Sequence, residues 1–131
     1  MNALEMKEQM MAYLRSLDFS SQDAEECLLL YFSTFGSCVA QIRSGLEHRD
    51  IPLIRTASHT LAGSSGTIGA KEIERSVIEL NTFAKASDFV RAEECFRRLE
   101  EIYESLSSTM PDHSRRADPE DLAVSSWGFP E

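Results

Sequence analysis

The residue best placed for chemistry is His59. It lies in Ile51-Pro52-Leu53-Ile54-Arg55-Thr56-Ala57-Ser58-His59-Thr60-Leu61-Ala62-Gly63-Ser64-Ser65-Gly66-Thr67-Ile68-Gly69-Ala70. Wound as an α-helix at roughly 100° per residue, this segment puts Ile54, Ala57, Leu61, Ser65 and Ile68 on one face, the natural core face. His59 falls roughly 140° from Ile54, so its imidazole points to solvent. Its helical neighbours are Arg55, Ala62, Gly63 and Gly66. An exposed imidazole ringed by small residues is open to approach by another macromolecule. A glycine inside a helix costs on the order of 1 kcal/mol relative to alanine, so two beside one histidine need a reason. Either a partner's backbone must come close to His59, or the helix ends near Gly63 and the Gly-rich run is a loop.

Other chemistries fit these residues poorly. Gly63, Gly66 and Gly69 make a Gly-rich run, but no Lys-Ser/Thr follows and no strand pattern precedes it, which argues against a phosphate-binding loop. A metal site would need ligands beside His59. His48 and His113 lie in other segments, and no His or Cys cluster has metal-site spacing. A serine hydrolase would need Ser, His and Asp converging at a strained turn. Ser64 and Ser65 read instead as helix-packing residues, and Met6, Met10 and Met11 as packing material.

The elements that must position His59 are all helical. Residues 3–17 offer Met6, Met10, Leu14 and Leu17 at helical spacing, as a lid helix or a partly frayed one. Ser20 with Asp23 resembles a capping box ahead of a long helix to about residue 47. Its apolar stripe is Ala24, Leu28, Tyr31, Phe35, Cys38, Ile42 and Leu46, widened by Phe32 and Val39. That stripe needs a cover, either the N-terminal helix or a second copy. Asp50 suits the N-cap of the His59 helix, and Pro52 its first turn. After a turn near Gly69, residues 70–86 carry the stripe Ile73, Val77, Leu80 and Ala84. Ser87 is the expected cap of a last helix to about residue 106, with Phe89, Ala92, Phe96, Leu99, Tyr103 and Leu106 inward. Short connections make consecutive helices antiparallel neighbours. The expected fold is all-α: an antiparallel up-down four-helix bundle over residues 21–107, with an additional N-terminal helix over 1–20 packing on it. Residues 108–131, rich in Ser, Asp and Pro, read as a flexible tail or as a docking peptide anchored by Trp127 and Phe129.

Composition narrows the function classes. The 131 residues carry a net charge of −9, of which −6 falls in residues 1–107 and −3 in the tail. No basic face is evident for nucleic acid, and an acidic chain is repelled by anionic lipid. Cys27, Cys38 and Cys95 form no CxxC pair, which fits a reducing cytosol. Glu5, Lys7 and Glu8 interrupt any signal peptide, and the run from Cys27 to Phe32 is far too short to span a bilayer. A cytoplasmic monomer is the simplest expectation.

His59-Thr60-Leu61-Ala62-Gly63-Ser64-Ser65, followed by Ile68-Gly69-Ala70, resembles the signature of histidine-containing phosphotransfer (HPt) domains. The resemblance covers about residues 24–107, including the helix start at Asp50 and the spacing of the later helices. It implies a phosphorelay intermediate that takes a phosphoryl group from a receiver-domain aspartyl phosphate and passes it to another response regulator. Such a chain is a stoichiometric carrier with no kinase activity and no cofactor of its own; the receiver supplies Mg²⁺. The implied partners are receiver domains and a hybrid histidine kinase. The phosphorylated histidine carries over to His59, and Gly63 to the small residue that lets the receiver approach. On the following helix the family often has a polar residue that hydrogen-bonds the imidazole, and this falls on Asn81. One departure stands out. The family usually has Lys three residues after its histidine, and here that position is Ala62. Arg55 and Lys85 are the candidates to replace its charge.

The chemistry asks little of the chain. A neutral imidazole nitrogen attacks phosphorus without a dedicated base, since exposed imidazoles ordinarily titrate near pH ~6.5. Phosphoryl transfer rests mainly on positioning and charge stabilisation. Two alternatives stay open: a helical module that docks a receiver or kinase without being phosphorylated, with Ala62 marking lost chemistry, or the phospho-accepting domain of a larger sensor kinase.

Overall fold

The computed structural model, which describes residues 2–110, is a succession of five helices defined by their ends. They are α1 (Ala3–Ser16), α2 (Ser21–His48), α3 (Ile51–Thr67), α4 (Lys71–Lys85) and α5 (Phe89–Ser107), with no strand among the described residues. Side-chain caps satisfy backbone donors that helix starts leave without partners. Asn2 Oδ1 accepts from Glu5 N at 2.8 Å, and Glu5 Oε1 accepts from Asn2 N at 2.9 Å. This reciprocal box makes α1 a defined helix rather than a frayed one. Ser20 Oγ accepts from Asp23 N and Asp50 Oδ1 from Leu53 N, where the sequence placed both caps.

Two expectations at helix ends are corrected. Ser87 does not cap α5; it sits in the turn with φ 61°, and Asp88 Oδ1 accepts from Arg91 N at 3.2 Å. Aspartate and serine are about equally good caps, so residue type could not choose between neighbours. Leu17 does not face inward. It is the C-cap of α1 and 49% exposed, because the helix ends before the leucine completes its turn.

The apolar stripes meet as the spacing requires. Leu28, Phe32, Phe35 and Ile42 of α2 pack with Ile54 and Leu61 of α3, Ile73 and Leu80 of α4, and Leu99 and Leu106 of α5, all but excluded from solvent. The pairs α2–α3, α3–α4 and α4–α5 pack most extensively, and α2–α5 closes the bundle. Within α5, Phe89 and Tyr103 are only half-buried, while Cys95 joins the core. Tyr103 stacks on Phe32 with ring centroids 4.6 Å apart. A side chain at Gly36 would collide with its hydroxyl, so a glycine on α2 makes room for that ring.

The α2 stripe is covered by α1, which buries Met6, Met10 and Leu14 against α2 and α5. Lys7 Nζ donates to the Thr109 carbonyl at 3.0 Å. At its other end Tyr13 packs on Gly69, whose φ of 78° and lack of space both exclude a side chain. Of the expected tail, residues 108–110 form a turn that buries Met110. The Trp127 and Phe129 anchors lie outside the described residues.

Candidate functional site

Helix α3 continues through Gly63 and Gly66 to Thr67, which removes the loop alternative for the Gly-rich run. Its core face is the one the wheel drew: Ile54, Ala57, Leu61, Ser65 and Ile68 are all buried. His59 is exposed, near the middle of the helix. Below it, Tyr31 and Ser65 share a buried hydrogen bond of 2.7 Å that pins α2 to α3. Burial holds the Tyr31 hydroxyl far above its ordinary titration range, so it stays protonated.

The two glycines beside His59 differ. A Cβ built at Gly63 meets nothing within 4 Å, so this position is open. Gly63 also edges an apolar groove of about 530 Å³ that continues over Leu30, Leu14, Leu17 and Phe19. Gly66 lies instead against α4, where a Cβ would come within 3.0 Å of Glu74 Oε2. Gly66 therefore belongs to the α3–α4 seam rather than to an open docking face.

The end of the Glu74 side chain reaches the space beside Gly66, which puts these two residues on facing flanks of the seam. Helices α3 and α4 run antiparallel across a short turn. Seven residues back along α3 and seven forward along α4 each make about two turns, or roughly 10 Å. That step brings His59 level with Asn81. A step of four brings Ala62 level with Ile78, and a step of eleven brings Arg55 level with Lys85. Ideal helix geometry thus pairs Gly66 with Glu74, Ala62 with Ile78, His59 with Asn81 and Arg55 with Lys85 along the seam.

These pairs differ in polarity. Arg55 and Lys85 are exposed, and neither makes an ion pair among the described residues. Asn81 is half-buried, and its Oδ1 is buried without a hydrogen-bond partner. Ser58 Oγ, next to His59, is buried and unpartnered as well. Unsatisfied buried polar atoms cost stability and are uncommon, so two at one level of a seam mark it as unusual. Ala62 is half-buried, whereas Ile78 is 52% exposed. Wheel reasoning could have found Ile78: it lies roughly 140° from Ile73, an isoleucine on the polar side of its helix. Ser58 gives no such signal, since a serine beside a core face is ordinary.

Elsewhere the other described histidine, His48, has its Nδ1 2.9 Å from the Ser44 carbonyl at the end of α2. No group of three His, Cys, Asp or Glu stands together as a metal site among the described residues. No described helix is long and apolar enough to cross a membrane. Residues 26–109 match the family model of the Hpt domain. No curated protein and no solved structure matches the chain.

Proposed function

As the chain belongs to the Hpt domain family, whose members carry phosphoryl groups in phosphorelays, we propose that it accepts a phosphoryl group on His59 from a receiver's aspartyl phosphate and hands it to a second receiver. A hybrid histidine kinase is the source of the first receiver. The observation that carries this reading is the open face at His59: an exposed imidazole in mid-helix beside a Gly63 with free space around it.

The chemistry balances without a catalytic base on this chain. An unprotonated imidazole nitrogen donates its lone pair to phosphorus as the P–O bond to the aspartate breaks. The carboxylate leaves with that electron pair, and the second ring nitrogen keeps its proton or releases it to water. The return transfer to another aspartate reverses these steps. The transition state is loose, so alignment and charge matter most. Asn81 Oδ1, without a partner in the isolated chain, is the acceptor assigned to an imidazole N–H of His59 during transfer, where it would orient the ring. Arg55 and Lys85 offset the charge of the phosphoryl group. The receiver brings Mg²⁺ and its own lysine. Gly63 and the adjoining apolar groove give the receiver a surface to rest on.

The test is intact-mass spectrometry after exposure to a panel of phosphorylated receivers, held near neutral or mildly alkaline pH to preserve acid-labile phosphohistidine. One added phosphate on the wild type, absent from a folded His59→Gln variant, is the expected result. Uptake by His59→Gln would sink the assignment. Ala62 favours a second reading, a module that docks receivers without being phosphorylated. Stable receiver binding with no transfer in either direction is its signature.

A further inference from the structure

We propose that the chain's own segment 122–130, anchored by Trp127 and Phe129, lies in the apolar groove between α1, α2 and α3 and must leave before a receiver can rest there; the second half of this rests on the reading of His59 as the phosphoryl site. The groove, about 530 Å³, is lined by Leu14 and Leu30 and edged by Gly63. Leu17 and Phe19 stand at its α1 end, 49% and 37% exposed. Large apolar side chains gathered in water at one groove mark an interaction site. The helices leave it open, because α1 commits Met6, Met10 and Leu14 to the core and ends at Ser16. Gly63 borders both the groove and the face at His59, so an occupant of the groove obstructs a receiver.

Tether, composition and charge name the occupant. Lys7 Nζ donates to the Thr109 carbonyl at 3.0 Å and Met110 is buried, so the chain leaves the bundle beside α1. From Lys7 to Leu17 the helix rises about 15 Å. The sixteen residues 111–126 reach at most roughly 53–58 Å, so Trp127 arrives at the groove with slack. A ligand on such a tether is held at an effective concentration on the order of mM. A second copy offers the same segment without the tether, so at μM protein the chain's own segment wins. Between Asp121 and Glu131 stand nine residues with no charge, among them Leu122, Val124, Trp127 and Phe129. Trp127 and Phe129 are two apart, so both fall on one side of an extended segment. Asp18, Asp23 and Glu26 line the mouth of the groove at the α1–α2 turn, and Arg15 beside them donates to Ser21 Oγ at 3.4 Å. An uncharged aromatic segment meets no repulsion from these carboxylates, whereas the acidic stretch ending at Asp121 is kept outside.

Trp127 is the one tryptophan of the chain, so its fluorescence reports this segment alone. Emission and acrylamide quenching are read for the full chain as wild type, Phe129→Ser and Leu30→Glu, at several protein concentrations and in urea. The expected wild-type emission lies to the blue of the urea-unfolded chain, is shielded from acrylamide and is independent of protein concentration. Both substitutions shift it to the red. Phe129→Ser changes no residue of the five helices, and thermal melts establish that Leu30→Glu is folded. Cys27 gives a second readout, since it lines the groove half-buried while Cys38 and Cys95 are buried. A thiol reagent should modify it faster in Phe129→Ser. Wild-type emission matching the urea-unfolded chain overturns the proposal. So does blue emission that survives both substitutions, or that reddens on dilution and so belongs to a second copy. A cognate receiver, read by difference spectrum, should redden the wild type and bind Phe129→Ser more tightly, by about tenfold if one wild-type chain in ten is open. A bound receiver that leaves the emission blue overturns the exclusion. Receiver binding without transfer in wild type and Phe129→Ser alike would defeat the phosphoryl reading alone, because the emission still reports on the groove.

Discussion

The hydroxyls of Tyr31 and Ser65 lie 2.7 Å apart inside the bundle and hold α2 to α3 beneath the His59 flank. Tyr31→Phe leaves the Ser65 hydroxyl buried without this partner. The expected loss is about 1–3 kcal/mol of unfolding free energy, whereas the double variant Tyr31→Phe/Ser65→Ala recovers part of it. Urea denaturation of the four chains measures the coupling. Strictly additive losses would show that the bond contributes nothing beyond its two side chains.

Gly63 separates stability from docking. The space around it is empty, so Gly63→Ala relieves the helix of a flexible residue and is expected to stabilise the fold by about 0.5–1 kcal/mol. Gly63→Leu puts a bulky side chain on the surface on which a receiver would rest. It should keep its melting temperature and lose at least tenfold in transfer rate (about 1.4 kcal/mol). Unimpaired transfer by Gly63→Leu would mean that no partner comes close at this position.

Arg55 and Lys85, on the opposite side of His59 from Ala62, are the proposed substitutes for the charge missing there. Arg55→Ala and Lys85→Ala should each slow transfer by about two- to fivefold, the range of an exposed charge interaction. The double variant should flatten the dependence on ionic strength, since exposed charges act over a Debye length of about 10 Å at 0.1 M salt. Ala62→Lys adds charge on the other side of the histidine. If docking there is apolar, it slows transfer; a gain in rate would show that the usual lysine chemistry still applies.

Asn81→Ala removes a buried oxygen that has no partner in the isolated chain. Its effect on thermal stability should be within about 1 kcal/mol of neutral, because the lost packing is balanced by the relieved polar atom. Transfer should fall by roughly tenfold if the amide orients the imidazole, in line with a single positioning contact. A normal rate would leave Asn81 as a seam residue only.

Alkaline pH should loosen the bundle. Burial pushes the Cys38 thiol from 9.0 up to about 11 and raises Cys27, Cys95, Tyr31 and Tyr103 in the same direction. For Cys38 the unfolded chain gives up its proton from about pH 9, while the native chain holds it until about pH 11. In that window the unfolded state binds fewer protons, so unfolding becomes easier as pH rises. The urea midpoint should fall between pH 9 and 11, and a constant midpoint would contradict the burial of these groups. Phosphohistidine assays are best run below the window.

Much of this molecule could be read from spacing. The stripes of α2, α3 and α4 are buried residue for residue, because a 3.6-residue period leaves few ways to hide so many large side chains. Local capping was less decisive: Ser87 and Asp88 are neighbours of nearly equal capping strength, and with Ser87 taken up in the turn at φ 61° the cap falls to Asp88. His59 could be placed on the solvent side from α3 alone. Its surroundings could not, because they depend on how α4 is set against α3. That register moved Gly66 from the docking face into the seam and brought Ile78 onto the flank.

The bond from Lys7 to the Thr109 carbonyl joins residues 102 positions apart, whereas the largest helix contacts link neighbours in the chain. During synthesis α2 to α5 can assemble in order of emergence, but α1 must wait for the last turn before both its ends are held. Such late, long-range closure makes α1 the segment expected to open first in the finished protein. Amide hydrogen exchange should be faster in α1 than in α2, α3 or α5. A loosened α1 would uncover Met6, Met10 and Leu14 while leaving the His59 seam intact.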